Sequence, residues 1–332
     1  MRPAIFVVAG AGGFIGGHLV GHLLRDGRRV RAVDLKPMWQ WQQVHFKAEN
    51  LGHMDLRRSG DCRLATLGAD RVYNLACDMG GMGFIEAHRA DCMCSVLINT
   101  NLLIASAANY VGRYFYASSA CVYRADRQDT TSSPPLREED AYPAMPEDGY
   151  GWEKLFGERM CRHFAEDRGL QTRVARFHNV YGPLGTWRGG REKAPAALCR
   201  KVIEAAMSGA GEINVWGDGR QTRTFMYIDD CLRGITSIME GDHPGPVNLG
   251  SAELVSVDQL VDAIEDVSGT RLGRVYQPGA PRGVAGRSPD NTLFRKMYGW
   301  EPSTPLSTGI AVTYKWIREQ IGPEHTRKDG NT

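Results

Sequence analysis

The feature that most limits what this chain can fold into is Gly10-Ala-Gly-Gly13-Phe-Ile-Gly16, set directly behind an apolar run at 4–9. Glycines at this spacing let a strand turn sharply into a helix, with the backbone close enough to meet a pyrophosphate at the helix N-terminus. The apolar residues of 15–25 continue at helical spacing. Asp34 then closes the next strand candidate, 29–34. An acid at that point is placed to accept from ribose hydroxyls and to repel a 2′-phosphate, so the pattern predicts NAD in preference to NADP. The expected cofactor contacts are Gly10, Gly13 and Gly16, Phe14 and Ile15 where the helix opens, Asp34, and Asp55 near the adenine.

The first half of the chain alternates short apolar runs with helical patterns, which predicts an α/β fold: a Rossmann-like, doubly wound parallel sheet. Further strands are expected at 71–75, 114–118 and 172–177, and helices at 87–110 and 150–167. Beyond Phe177 turn clusters multiply, and a smaller C-terminal substrate-binding domain is expected there. The expected division gives 1–178 to the NAD-binding domain and 179–224 with 251–322 to the substrate part. A helix at 225–240 and a strand at 247–249 are expected to return to the sheet, and 323–332 to form a frayed tail.

Composition narrows the partners. A net charge of +2 on 332 residues gives no reason to invoke nucleic acid or a membrane surface. The run 4–9 is too short for a signal peptide, and no stretch reads as approaching the roughly 18 apolar residues of a membrane span. The eight cysteines lack the spacing of a zinc site, so no metal is expected, and their scatter suits a reducing, cytoplasmic setting.

Tyr150-Gly-Trp-Glu-Lys154 puts Tyr150 and Lys154 on one helical face. A phenol ordinarily ionises near pH 10, but a neighbouring ammonium and an oxidised nicotinamide would both favour the phenolate. Ser118 and Ser119 end the preceding strand, where a hydroxyl could orient a reacting oxygen. Together with the glycine loop, this layout resembles the extended short-chain dehydrogenases/reductases that act on nucleotide sugars. Four further segments sharpen the likeness: Ala76-Cys-Asp-Met-Gly-Gly-Met-Gly-Phe-Ile85, Ser118-Ser-Ala-Cys-Val-Tyr123, Arg176 to Pro195 with its Arg191-Glu-Lys-Ala-Pro195, and Trp216-Gly-Asp-Gly-Arg-Gln-Thr-Arg-Thr-Phe225. They resemble the GDP-mannose 3,5-epimerases within that family.

That resemblance implies a reaction. Oxidation at C4 by NAD acidifies the hydrogens on C3 and C5, and inversion then needs a base on one face of the sugar and an acid on the other. The resemblance makes Cys121 the base and Lys193 the acid, with Ser119, Tyr150 and Lys154 at the redox centre. It puts Gly80, Gly81, Met82, Ser119, Ala120 and Cys121 near the hexose, Asn179 at the diphosphate, Glu192, Ala194 and Lys201 around Lys193, and Arg223 and Arg287 on phosphate or nucleotide oxygens. His178 reads as a packed core residue. The implied substrate is GDP-mannose, converted to GDP-L-galactose and in part to GDP-L-gulose. The implied assembly is a homodimer through helices at 97–108 and 155–164. The sequence departs from the family at Ala285, where an arginine is usual, and over 38–49. The competing readings are a 4-epimerase or 4,6-dehydratase on another nucleotide sugar, and a catalytically dead NAD-binding module.

Asp34 generates the first test. Calorimetry should find much tighter binding of NAD than of NADP, and Asp34→Ala should narrow the gap. Equal affinities in the unaltered protein would remove the role given to Asp34.

Overall fold

Six strands occupy the first half of the chain: β1 (Ile5–Ala9), β2 (Arg29–Val33), β3 (Glu49–Leu51), β4 (Ala69–Asn74), β5 (Arg113–Ser119) and β6 (Gln171–Phe177). The structure, a computed structural model, describes residues 4–328, without side chains from 323 onward. With the late strand Pro246–Leu249, the six form one parallel sheet in the order Pro246–Leu249, β6, β5, β4, β1, β2, β3. A parallel sheet covered on both faces needs near-continuous apolar strands. In β1, Val7, Val8 and Ala9 are all fully buried. Strand order reverses between β1 and β4, which opens a crevice beyond their carboxyl ends.

Strands expected from the sequence lie within two residues of those found. Three expectations need correction. β3 was not expected; it is only three residues long and two of them are polar. The single helix expected at 87–110 is three helices, Met82–Ala87, Arg89–Met93 and Ser95–Ala108. The first break falls at His88, whose ring stacks on Phe84 with centroids 4.2 Å apart and whose φ and ψ of −129° and 44° leave the helical region. The helix expected at 225–240 starts at Ile228, because Met226–Tyr227 pairs as a short strand with Val180–Tyr181.

One stretch, Arg89–Ala108, is by length and composition apolar enough to cross a membrane, with mean hydropathy 1.3, contrary to the sequence reading. In the fold its inner face lies on the sheet. Leu102 and Leu103 are fully buried there, and Asn99 accepts a hydrogen bond from the Tyr114 hydroxyl at 2.8 Å.

Three large cores build the fold, one of them on the sheet face under Leu102, Leu103 and Cys161. Helices Phe14–Arg25 and Ile228–Glu240 cover one sheet face through Leu19, Leu23, Ile235 and Ile238. The second core joins helices Ala194–Ser208, Val257–Ser268 and Leu306–Lys328 to the strand Glu212–Trp216 through Val202, Ile203, Val215, Ile264 and Ile310. Phe294, in a stretch assigned by sequence to the substrate part, packs in the first core instead, edge-on to the Trp300 ring at 5.2 Å. Of the tail read as frayed, 323–328 continues the last helix, and 329–332 lies outside the described residues. Six of the eight cysteines are buried, and Cys94 is exposed.

The helix Tyr150–Arg168 is fastened to β6 by one buried ion pair. Arg176 donates to both carboxylate oxygens of Glu158 at 2.8 and 2.7 Å, and Ser118 Oγ donates to the same carboxylate at 2.5 Å. The arginine side chain is only 1% exposed. Removing one partner leaves a buried charge uncompensated. Glu158→Ala should therefore cost about 3–5 kcal/mol, read as a fall in the denaturation midpoint.

Candidate functional site

The glycine loop is built by contacts that leave no room for a side chain. Gly10 has φ +85°, and a Cβ there would lie 2.9 Å from backbone atoms of Leu75 and Ala76; one on Gly16 would lie 2.1 Å from the Gly10 carbonyl. The following helix has no side-chain cap at Gly13, so its first amides are open to an anion. Asp34 is nearly buried at the end of β2; its carboxylate accepts from the amides of Gly12 and Lys36, both at 2.9 Å. A carboxylate offers about four acceptor directions, so capacity for ribose hydroxyls remains. This cradle at the strand-order reversal fits a dinucleotide.

Two features of the groove were not read from sequence. The Lys36 ammonium donates to the Gly12 carbonyl at 2.7 Å. It is a cation beside Asp34, which explains how removing that acid would admit a 2′-phosphate. Asp55, expected at the adenine, has its carboxylate taken up by Arg57, which donates at 2.8 and 2.9 Å, and that guanidinium holds it below the usual carboxylate range.

Tyr150 opens its helix against Cys121. Gly151 permits the approach, since a Cβ there would fall 2.4 Å from the Cys121 carbonyl. Of the two candidate serines, Ser118 is committed to Glu158, while Ser119 Oγ accepts from the Cys121 amide at 3.2 Å and lies close enough to Tyr150 to favour its phenolate. Lys154 Nζ lies 5.5 Å from the Tyr150 ring centroid and 3.4 Å from a Glu153 oxygen. In the protein by itself, burial pushes the Tyr150 phenol well above its ordinary range, and Cys77, Cys121 and Glu153 add to that.

Every expected substrate contact lines one cavity of about 290 Å³: Gly80, Gly81, Met82, Ser119, Ala120, Cys121, Asn179, Glu192, Lys193, Ala194, Lys201, Arg223 and Arg287. The loop of Gly80 and Gly81 is pressed onto the segment carrying Lys193. Gly81 donates to the Arg191 carbonyl at 3.1 Å, and a Cβ on Gly81 would stand 2.5 Å from the Glu192 carbonyl. Burial lowers the Lys193 amine, and a negative charge on Cys121 would oppose that shift. The Lys193 backbone carbonyl accepts from the Ala197 amide at 3.0 Å, where the helix Ala194–Ser208 begins.

Three cations of the cavity have partners within the chain. Arg287 is bound to Glu147 and Gln128 and directs Nη1 to Cys121 Sγ at 3.6 Å. Arg223 holds the loop 282–285 by its carbonyls, donating to Arg282 at 3.1 Å and Val284 at 2.5 Å, and burial pulls its guanidinium down to about 10. Lys201 donates to the Asn214 carbonyl at 2.7 Å. His178 is fully buried, with its ring pushed down to about 4 by burial. Glu147, Trp216 and Arg282 line the cavity and were missed by sequence reading. For Glu147 the available signal was its place three residues before Tyr150.

A profile of the NAD dependent epimerase/dehydratase family matches residues 6–250. GDP-mannose 3,5-epimerase 1 of rice (Oryza sativa subsp. japonica) is 44% identical over 325 residues, spanning 96% of this chain and 83% of that protein. GDP-mannose 3,5-epimerase of Arabidopsis thaliana is 42% identical over 321 residues, 96% of this chain and 84% of that one. Among solved structures, UDP-glucose 4-epimerase of Thermotoga maritima, with UDP-glucose, has a TM-score of 0.84 at 23% identity, covering 96% of this chain and 99% of that chain. UDP-glucose 4-epimerase of Thermus thermophilus, with NAD, has a TM-score of 0.80 at 22% identity, covering 95% and 99%. At these identities the two structures speak to fold alone.

The Gly81 contact generates a test. Gly81→Ala must displace the segment carrying Lys193, and a shift of about 1 Å at a catalytic group can cost roughly 100-fold in rate. NAD affinity by calorimetry should be unchanged, because the glycine loop is untouched, while turnover falls by that order.

Proposed function

Because the chain belongs to the NAD-dependent epimerase/dehydratase family, we propose that it is a GDP-mannose 3,5-epimerase converting GDP-D-mannose to GDP-L-galactose, with GDP-L-gulose as a second product. The observation that carries this reading is a single cavity lined by a thiol, a half-buried amine and a tyrosine, with Cys121, Lys193 and Tyr150 all facing it. A cofactor that only moved hydride at C4 would need no second proton-transfer pair beside the tyrosine.

Gly10, Gly13, Gly16 and Asp34 would hold NAD, with Tyr150 and Lys154 at its nicotinamide end. When bound, NAD supplies a reversible acceptor for the hydrogen on C4. Tyr150 takes the proton from the C4 hydroxyl and later returns it, with Ser119 orienting that oxygen. While C4 is a ketone, Cys121 withdraws a proton from C5, and Lys193 delivers one to the opposite face; the same pair serves C3. The lowered Lys193 amine suits that exchange near neutral pH. Arg287 is a charged donor to the sulfur as it becomes anionic.

The same reading includes a cytoplasmic homodimer. Met93, Leu97 and Ile104 on one side, and Trp152 and Phe156 on the other, are exposed apolar residues on the helices that would pair. Such residues on adjoining helices suit a four-helix contact.

Turnover in heavy water separates this reaction from its rivals. Deuterium should enter at C5, C3 or both, and C4 should stay unlabelled, because its hydrogen returns without meeting solvent. Cys121→Ala should abolish most label at C5 while NAD binding persists, and Tyr150→Phe should lower activity by about 100-fold or more. Label confined to C6 would indicate a dehydratase. Product with no label would indicate a 4-epimerase and would exclude the roles given to Cys121 and Lys193.

A further inference from the structure

Glu153 lies within the same helical turn as Tyr150 and Lys154 and is as deeply buried as either. Its side chain is 1% exposed, and one carboxylate oxygen sits 3.4 Å from Lys154 Nζ. The other oxygen accepts from the Tyr116 hydroxyl at 3.2 Å. Lys154 Nζ is held over the Tyr116 ring at 5.0 Å and over the Tyr150 ring at 5.5 Å. Among the described residues, the oxygen facing Lys154 has no hydrogen-bond partner. A carboxylate kept in so dry a place, with half its acceptor capacity unused, is costly unless the adjacent ammonium offsets it.

We infer that Glu153 is a positioning residue that counters the charge of Lys154 and thereby keeps Tyr150 a phenol until another positive charge enters the site. This rests on the reading of Tyr150 as the acid/base. The groups facing the phenol agree with it. Cys77 lies beyond β4, Cys121 and Ser119 beyond and at the end of β5, Tyr116 on β5, Glu153 and Lys154 on the phenol's own helix, and Lys193 across the cavity. After burial, the thiols Cys77 and Cys121 and then Glu153 push the phenol upward, and Ser119 pulls it down. With Lys154 already countered, the charge that tips Tyr150 toward phenolate must come from what binds in the groove. A positive oxidised nicotinamide does so and a neutral reduced one does not. Tyr150 is thus a base at the start of turnover and an acid at its end, without any rearrangement of the chain.

Glu153→Gln tests this, since the amide keeps the size and still accepts from Tyr116 while the negative charge is removed. In the NAD-loaded protein, the Tyr150 phenolate band is isolated as the ultraviolet difference between each protein and its Tyr150→Phe counterpart. That band should titrate about one pH unit lower in Glu153→Gln than in the unaltered chain. The acid limb of kcat for GDP-mannose should move the same way with KM unchanged. A band at the same or a higher pH in folded Glu153→Gln overturns the inference. Should that variant not fold, Glu153→Asp, which draws the carboxylate back from Lys154, should give a smaller shift in the same direction, and no shift there is equally fatal. The band needs no sugar: a protein inert toward GDP-mannose refutes the proposed substrate, while the band still decides the role of Glu153.

Discussion

Backbone must touch backbone at three places for this site to exist, and glycine is what allows it. Gly16 meets Gly10 in the cofactor loop, Gly151 meets the Cys121 carbonyl, and Gly81 meets the Glu192 carbonyl. The last two join segments far apart in the chain, and each of the three brings a functional group with it: the dinucleotide cradle, the tyrosine beside the thiol, the lysine across from both. The reactive side chains are few, but their mutual geometry is set by atoms that have no side chain at all. Loss of one methyl's worth of space at any of these points moves chemistry without disturbing the cores.

Electrostatics inside this frame are arranged by burial more than by pairing. Burial drives Tyr150 up and Lys193 down, so each is moved toward its neutral form. Two neutral groups can both gain and lose protons, which suits a reaction that must run in both directions over the same atoms. Two pairs are exceptions: Lys154 beside Glu153, and Arg287, a full charge set against the Cys121 sulfur and itself restrained by Glu147.

Most of the fold was legible because a parallel sheet writes itself as repeated short strands with an apolar centre, such as Ile5–Ala9 and the Tyr-Phe-Tyr-Ala of Arg113–Ser119. The parts that escaped lack that signature. Three-residue β3 is too short and too polar, and the breaks at His88 and Cys94 interrupt a stretch whose composition is uniformly helix-compatible. Site residues in named motifs were found together in one cavity. Those outside them, such as Glu147, Gln128 and Lys36, act through partners more than twenty residues away or through backbone carbonyls, and nothing local in sequence marks such a contact. For Arg223 and Arg287 the sequence named the residues, and the structure adds their partners within the chain: carbonyls of the loop 282–285 for one, and Glu147, Gln128 and the Cys121 sulfur for the other. Residue type tells that a guanidinium will find oxygens or sulfur, but only packing tells whose.

The helix Tyr150–Arg168 is read from both sides. Tyr150, Glu153 and Lys154 point inward to the chemistry, while Trp152 and Phe156, one or two positions away, stand exposed on the outer face. Neither face can drift alone. A substitution on the outer side that tilts or shifts this short rod also moves the tyrosine it aims, so selection on surface and selection on catalysis act here on a single object. Sequence variation along this helix should therefore be correlated across its two faces.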